Sequence, residues 1–484
     1  MLTCAIISLG CPKNLVDSEQ MLGLLQVNGL EPVYDVEDAD VVIVNTCGFL
    51  AASRDEAMEN IQEMEALRHD PDQKLKCLIV AGCLVTRDKA ALIEVCPGVD
   101  AFLDVFSRDS VLEAVQKTLG LSGDFGVKTP ENVLPIVQID AQDATAQETA
   151  APEPLTFYGH SEGIASDPHR FPLLPPHVAY LKIAEGCNRR CAFCAIPNIR
   201  GKYSSKPMDE IVEEARNLAK NGVKEVILIA QETSLYGIDL RNPDGSPSEN
   251  TLANLLRRLN DVEGIHWIRI QYLYPQDFGD DLIDAMATTP KVVPYADIPL
   301  QHINDRVLKS MRRAAGREET LALLNRLRER VPNLAIRTAF IAGFPGETKA
   351  EFGELLAFVR KQKFDHVAVF QFSPEEGTPA AEMPNQVPEK TALKRTNELL
   401  QTQKRISAEL RKKQIGRTME VLIDMESDEE GTWLGHTAFG APEIDGVVYV
   451  SLENEDDEPL KVGEFYQCEI VDCDEYDLFA ITAK

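Results

Sequence analysis

Cys187, Cys191 and Cys194 stand as C-x3-C-x2-C in the stretch EGCNRRCAFCAIP, with the aromatic Phe193 just before the last. Three thiolates this close can hold three irons of a cubane iron–sulfur cluster and leave the fourth iron open to another ligand. A structural zinc site wants four protein ligands, and an ordinary electron-transfer cluster wants four cysteines. The spacing therefore favours a three-ligand cluster over zinc or over three buried structural thiols. A second set, Cys11, Cys47 and Cys83, is spread 36 residues apart each time. Each of these closes the same local pattern, a strand-like run and then the cysteine: ISLGC, VNTC and VAGC.

The second set is positioned by an alternation of strands and helices over residues 1–122. Ala5–Leu9, Val41–Val44, Leu78–Val80 and Phe102–Val105 read as strands. Asp17-x-x-Gln20 and Ser53-x-x-Glu56 read as helix starts of the capping-box kind, and Gly29 ends the first helix. Such alternation implies an α/β domain with a small parallel sheet and helices on both faces. Cys11, Cys47 and Cys83 then fall at the carboxyl ends of neighbouring strands, where open α/β folds place ligands. Burial is the ordinary fate of free thiols, but three equivalent positions favour a second metal or cluster site. Cys4 and Cys77 sit at strand starts, on the opposite edge, and Cys96, Cys468 and Cys473 follow no pattern.

Residues 123–178 have low hydrophobicity and include AQDATAQETAAPEPL and PLLPPH, so they are expected to be a partly disordered linker. The strand–helix alternation resumes over residues 179–412 and repeats about six times. Its strands are Ala179–Ile183, Glu225–Ala230, Trp267–Gln271, Tyr295–Ile298, Ala335–Ile341 and His366–Phe372, which predict a partial (β/α)6 barrel with a trailing charged helix from Pro388. Residues 413–484 read as short strands and turns, a small β-barrel or sheet module.

Bulk properties narrow the setting. The chain has 484 residues, 44% apolar and 26% charged, as in an ordinary globular protein. No apolar run approaches the ~18 residues of a membrane span. The start MLTCAIISLGCPKN lacks a basic lead-in and a cleavage site, so no signal peptide is expected. Eleven cysteines then point to a reducing cytosol and to metal ligation rather than disulfides. A net charge of −29 argues against a large phosphate-binding surface. From Arg417 to Lys484 there are 19 acidic against three basic residues, a local charge of −16.

These cysteines, with the stretches SLGCPKNLVDSE, VNTCGFL, AGCL, EGCNRRCAFCAIPNIRG, PLQH, AFIAGFPGET and FSPEEGTPA, resemble the radical S-adenosylmethionine (SAM) methylthiotransferases over nearly the whole chain. The long stretch 123–178 is a departure from their pattern. The resemblance implies an N-terminal methylthiotransferase domain, a radical SAM barrel and a C-terminal TRAM domain. It also implies two 4Fe–4S clusters. The one on Cys187, Cys191 and Cys194 would reduce SAM to methionine and a 5′-deoxyadenosyl radical. The auxiliary one, on Cys11, Cys47 and Cys83, would carry or deliver sulfur, and a second SAM would supply the methyl group. A methylthio group then replaces a hydrogen on an unactivated carbon.

Further motifs fall at the ends of the barrel strands, the functional rim of such folds. These are Gln231-Glu232-Thr233, Gln301-His302 and Gly343-Phe344-Pro345-Gly346. Glu232, Gly343 and Gly346 are expected to help seat SAM, the glycines by close backbone approach. The plainer alternatives are a solvated loop acid and ordinary turn glycines, and His302 carries a weaker case as a lone histidine.

The family divides into enzymes of an adenosine in transfer RNA and enzymes of an aspartate in a small-subunit ribosomal protein. A TRAM module that binds RNA should be basic, whereas −16 would attract a lysine- and arginine-rich protein. An acidic surface also aids solubility, though −16 exceeds that need. Ser373-Pro374-Glu375-Glu376-Gly377-Thr378 carries acids where the transfer-RNA enzymes have an arginine, and APEIDG at Ala441–Gly446 resembles the ribosomal-protein branch. The expected partner is small-subunit ribosomal protein twelve, free or in the particle, with β-methylthio-aspartate as product. An electron donor is a second expected partner, while membrane association and direct nucleic-acid binding are not expected. The rival readings are transfer-RNA methylthiolation and, from another class, a non-catalytic iron–sulfur electron carrier or ribosome-docking protein.

Overall fold

Val41–Thr46 and Cys77–Gly82 are buried at every position. Strands without a polar face must be covered on both sides, as the centre of a parallel sheet is. In the computed structural model, which describes residues 1–121, 154–159, 169–242, 244–246, 248–454 and 458–483, they are central strands of such a sheet. The chain divides into two compact units, Met1–Leu173 with Ala195–Lys202, and Leu174–Cys194 with Tyr203–Lys484.

The first unit comprises β1 (Thr3–Ser8), α1 (Pro12–Val27), β2 (Glu31–Pro32), β3 (Val41–Thr46), α2 (Ala51–His69), β4 (Cys77–Gly82), α3 (Cys83–Val95), β5 (Ala101–Leu103), α4 (Val111–Leu119), β6 (Leu155–Phe157) and the short helix α5 (Ile196–Ile199). Its sheet has the order β2-β1-β3-β4-β5-β6, all parallel. Alternate residues serve opposite faces: Val41 and Ile43 pack with α1 and α4, and Val42 and Val44 with α2 and α3.

Two sequence expectations change here. α1 begins at Pro12 and α2 at Ala51, with no side-chain cap at either start. Asp17 and Ser53 therefore lie inside helices rather than capping them. Proline at the first helical position needs no capping partner, since its missing N–H is an orphan there in any case. Leu155–Phe157, within the stretch expected to be linker, is the sixth strand, paired in register with Ala101–Leu103. Farther on, Phe171 N–H donates to Glu19 O, and Arg170 pairs with the Glu19 carboxylate, so residues 169–173 also pack on this unit. The rest of the stretch from 122 to 168 lies outside the described residues, apart from 154–159.

The second unit runs β7 (Val178–Lys182), β8 (Ala184–Glu185), β9 (Ser204–Ser205), α6 (Met208–Lys220), β10 (Glu225–Ile229), α7 (Leu252–Asn260), β11 (Trp267–Ile270), α8 (Asp280–Thr288), β12 (Tyr295–Asp297), α9 (Asp305–Ser310), α10 (Arg317–Arg330), β13 (Ala335–Ala342), α11 (Lys349–Gln362), β14 (His366–Gln371) and α12 (Glu389–Lys412). Strands β7, β10, β11 and strands β12, β13, β14 form two parallel three-stranded sheets. A parallel bridge from Ile268 to Val292 and the Leu273 N–H bond to Asp297 O (2.9 Å) carry one sheet into the next. The six strands make the expected partial barrel, with the helices packed outside on a single apolar core.

The tail adds β15 (Thr418–Glu426), β16 (Thr432–Thr437), β17 (Val448–Ser451), β18 (Phe465–Cys473) and β19 (Leu478–Thr482), a closed barrel of order β15-β16-β17-β19-β18. It packs where the larger barrel's strands begin. Arg269, fully buried, donates to Glu225 Oε1 (2.7 Å) and to the carbonyls of Thr437 and Ala438. His436 lies 2.6 Å from Glu225 Oε2 and 2.7 Å from Asp424 Oδ2. Asp445, from the APEIDG stretch, accepts from Tyr295 OH (2.7 Å) and pairs with Arg337 and His366. Part of the local −16 is thus internal wiring between the two barrels.

Candidate cluster-binding sites

Each cysteine of the N-terminal set sits where a strand gives way to a helix. Cys11 is the N-cap of α1, Cys47 directly follows β3, and Cys83 opens α3 behind Gly82. The three loops are in contact. A Cβ on Gly10 would lie 2.7 Å from Cys47 Cβ, and one on Gly48 would lie 2.7 Å from the Cys83 carbonyl oxygen. Gly82 adopts φ +98, and a Cβ there would meet Asn45 Oδ1 at 2.4 Å, so no other residue fits before Cys83.

Asn14, in the first turn of α1, ties these loops together. Its Nδ2 donates to Leu9 O and to Thr46 O, both at 2.9 Å, and its Oδ1 accepts from Arg200 Nη2 at 2.7 Å. Arg200, only 1% exposed, donates from Nε to Cys83 Sγ at 3.3 Å and from Nη1 to Asp17 Oδ2 at 3.1 Å. Burial pushes the Cys83 thiol up to about 12, with Arg200 pulling the other way, and burial also raises Cys47. Sequence reasoning passed over both Asn14 and Arg200. Asn14 could have been found, because a residue three places after Cys11 on a helix faces the same way as the helix start.

In the second unit, Cys187, Cys191 and Cys194 are half-buried in the loop after β8. Backbone bonds close this loop: Cys194 N–H to Cys191 O (3.1 Å), Ala192 N–H to Met311 O (2.9 Å) and Ala380 N–H to Ala192 O (2.8 Å). Arg189 N–H donates to Cys187 Sγ (3.4 Å), and burial raises the Cys187 thiol to about 11. The guanidinium groups of Arg189 and Arg313 each lie 4.0 Å from the Tyr274 ring centroid, and Arg313 Nη1 is 3.8 Å from Cys191 Sγ. Two cations therefore stand beside these thiols.

The rim residues divide. Glu232 is 2% exposed rather than solvated; it accepts from Arg189 Nε (2.7 Å) and Ser234 Oγ (2.5 Å), and burial raises its carboxyl above the usual range. His302 is buried, its Nδ1 3.0 Å from Asn304 N and its Nε2 3.5 Å from Glu347. Gly343 has φ +81, and a Cβ there would lie 2.4 Å from Ala392 Cβ on α12. Packing against that helix already demands glycine. Gly346, at φ +75, has its carbonyl held by Arg306 Nη2 (2.7 Å). Buried side-chain atoms of Gln231 (Oε1) and Gln271 (Oε1, Nε2), where β10 and β11 end, have no hydrogen-bond partner among the described residues. Orphaned polar groups there fit a polar ligand at the rim.

Among the described residues no three His, Cys, Asp or Glu side chains close on a single metal ion. In each set an arginine side chain lies at hydrogen-bond distance from one thiol, Arg200 from Cys83 and Arg313 from Cys191.

The comparisons with known proteins agree along the chain. Family models match the Radical SAM superfamily over residues 181–359, the uncharacterized protein family UPF0004 over 3–104 and the TRAM domain over 415–482. A radical S-adenosylmethionine methyltransferase, TsrM, from Kitasatospora setae, solved with cobalamin and a 4Fe–4S cluster bound, shares the fold with TM-score 0.50 and 16% identity over 78% of this chain and 76% of that one. Ribosomal protein uS12 methylthiotransferase RimO of Lachnoclostridium phytofermentans is 40% identical over 98% of both chains. Its namesake from Desulforamulus reducens is 39% identical over the full length of both. The chain belongs to the family of ribosomal protein uS12 methylthiotransferases. As a member of that family it is a radical SAM methylthiotransferase that uses SAM and 4Fe–4S clusters. No helix among the described residues is long and apolar enough to cross a membrane.

Proposed function

We propose that the protein replaces a hydrogen on the β-carbon of an aspartate in ribosomal protein uS12 with a methylthio group. What carries the substrate reading is relatives of that name, 39–41% identical over 95% or more of both chains. In this reading Cys187, Cys191 and Cys194 hold the catalytic cluster, and Cys11, Cys47 and Cys83 hold the auxiliary one. When bound, the clusters and SAM supply the hydrogen-abstracting radical, the sulfur and the methyl group.

The chain's own residues bind and orient. Arg189 and Arg313 offset the charge of the thiolates beside them, and Tyr274 between the two guanidinium groups fixes both. Glu232 holds Arg189 in place. The Gln231 carbonyl oxygen and the Gln271 amide offer unsatisfied polar atoms to SAM, and Gly343 and Gly346 shape the turn after β13 that borders it.

Exposed acids of the small barrel, among them Glu426, Asp428, Glu429, Glu430, Glu469 and Asp472, support a basic protein partner. That barrel packs where the large barrel's strands begin, while Cys187 and Glu232 lie where strands end. Its charge therefore acts by steering a basic partner rather than by lining the site. In the SPEEGT stretch Glu375 is buried and accepts from Ser373 Oγ (2.8 Å), so only Glu376 presents its acid outward.

The test is the intact mass of uS12 from cells with and without the gene. A deletion strain whose uS12 is lighter by one methylthio substituent supports the reading. Equal masses overturn it and direct attention to modified adenosines in transfer RNA.

A further inference from the structure

We infer that Arg200 is a positioning residue that sets the redox balance of the cluster held by Cys11, Cys47 and Cys83. This rests on the assignment of those three cysteines as ligands. The guanidinium is 1% exposed and has three named partners within the first unit: Cys83 Sγ (3.3 Å), Asn14 Oδ1 (2.7 Å) and Asp17 Oδ2 (3.1 Å). Arg108 Nη1 reaches the other oxygen of the same carboxylate at 2.8 Å. Arg108 also pairs with Asp109 through Nε (3.3 Å), while Arg200 brings its charge to hydrogen-bond distance of Cys83 Sγ.

An arginine buried this deeply is costly unless it faces negative charge. Three thiolates and a reduced cluster in the contacting loops add negative charge on the side where Arg200 bonds Cys83. Hydrogen bonds to sulfur and local net charge are two of the protein's means of setting a cluster's potential. Reduction adds one negative charge, so a cation at hydrogen-bond distance from a ligand sulfur favours the reduced state.

Arg200 lies six residues after Cys194, in the segment Ala195–Lys202 that belongs to the first unit. Within that segment Ala195 and Ile199 pack with Cys83. Both side chains are apolar and exclude water from the Arg200–Cys83 contact, which strengthens the electrostatic effect.

The experiment uses the full chain, reconstituted with iron and sulfide, in a Cys187→Ala, Cys191→Ala, Cys194→Ala background so that one cluster reports. Its midpoint potential is followed by electron paramagnetic resonance during redox titration, with iron content measured alongside. Arg200→Gln should move the potential negative and Arg200→Lys should restore most of the shift. Asp17→Asn, which removes a negative charge beside Arg200, should move it positive. Opposite signs are what a charge effect produces and a packing defect does not. Potentials that stay together, or that move the same way in Arg200→Gln and Asp17→Asn, overturn the inference. Should Arg200→Gln fail to fold, the Asp17→Asn and Arg200→Lys shifts still decide it. A background protein that takes up no iron refutes the ligand assignment itself, and the inference with it.

Discussion

Arg189 and Glu232, 43 residues apart, are joined by a 2.7 Å bond from Nε to a carboxylate that is 2% exposed. The same arginine lies two residues after Cys187 and covers one face of Tyr274. Glu232 thereby fixes a cation whose charge acts on the Cys187 thiol. Glu232→Ala leaves Arg189 to Asp277, and SAM affinity should fall about tenfold, ~1.4 kcal/mol. Equilibrium dialysis with labelled SAM, at matched iron content, checks this. Unchanged affinity removes Glu232 from the site.

Asn14 is a hub for the N-terminal set. Asn14→Ala strands the carbonyls of Leu9 and Thr46 and one donor of Arg200. Each orphaned group costs about 1–3 kcal/mol. The three loops should loosen, and iron bound at Cys11, Cys47 and Cys83 should drop by about half or more in reconstituted protein. Full iron loading of Asn14→Ala would show that the loops hold their shape without it.

His436 gives a pH signature away from both cysteine sets. Burial alone would depress its imidazole, but the carboxylates of Glu225 and Asp424 raise it to about 9. The folded value thus exceeds the unfolded ~6.5. Stability from this site is fully present below about 6.5 and is lost as pH rises through 9, at most about 3 kcal/mol. Thermal unfolding of the wild type and His436→Gln between pH 6 and 10 isolates it. The difference between the two should shrink across that window, and a difference that stays constant rules out a charged His436.

Gly343 tests packing against ligand approach. In Gly343→Ala the new methyl meets Ala392 at 2.4 Å while the backbone holds φ +81. The expected loss is about 2 kcal/mol or more in urea unfolding. Adding Ala392→Gly should recover the steric part and leave the backbone strain. If the single variant is as stable as wild type, the glycine serves something other than the α12 contact.

Local patterns carried much of the architecture. Six apolar runs from Ala179 to Phe372 mark the large barrel's strands within one or two residues, because buried parallel strands read as continuous apolar sequence. The same logic placed Cys11, Cys47 and Cys83 at strand ends. Asp17 misled because its role is non-local: it answers Arg108 and Arg200 rather than a helix start. Strand β6 is three residues long and pairs with Ala101–Leu103 more than 50 residues earlier, so periodicity had nothing to register. Arg200, Asn14 and the Arg189–Glu232 pair stayed hidden because each depends on a partner brought close only by the fold.

The seam at the foot of the large barrel bears on how the chain folds. Glu225, Tyr295 and His366, each the first residue of its strand, find their polar partners in His436 and Asp445 of the tail. Cutting the chain near residue 415 would strip Glu225 of His436 and Arg269 of the Thr437 and Ala438 carbonyls, leaving their mutual bond half-answered. The tail is therefore no interchangeable cassette. Residues 174–484 should melt in a single calorimetric transition, and a tail grafted from a relative would have to bring its own answer to Glu225.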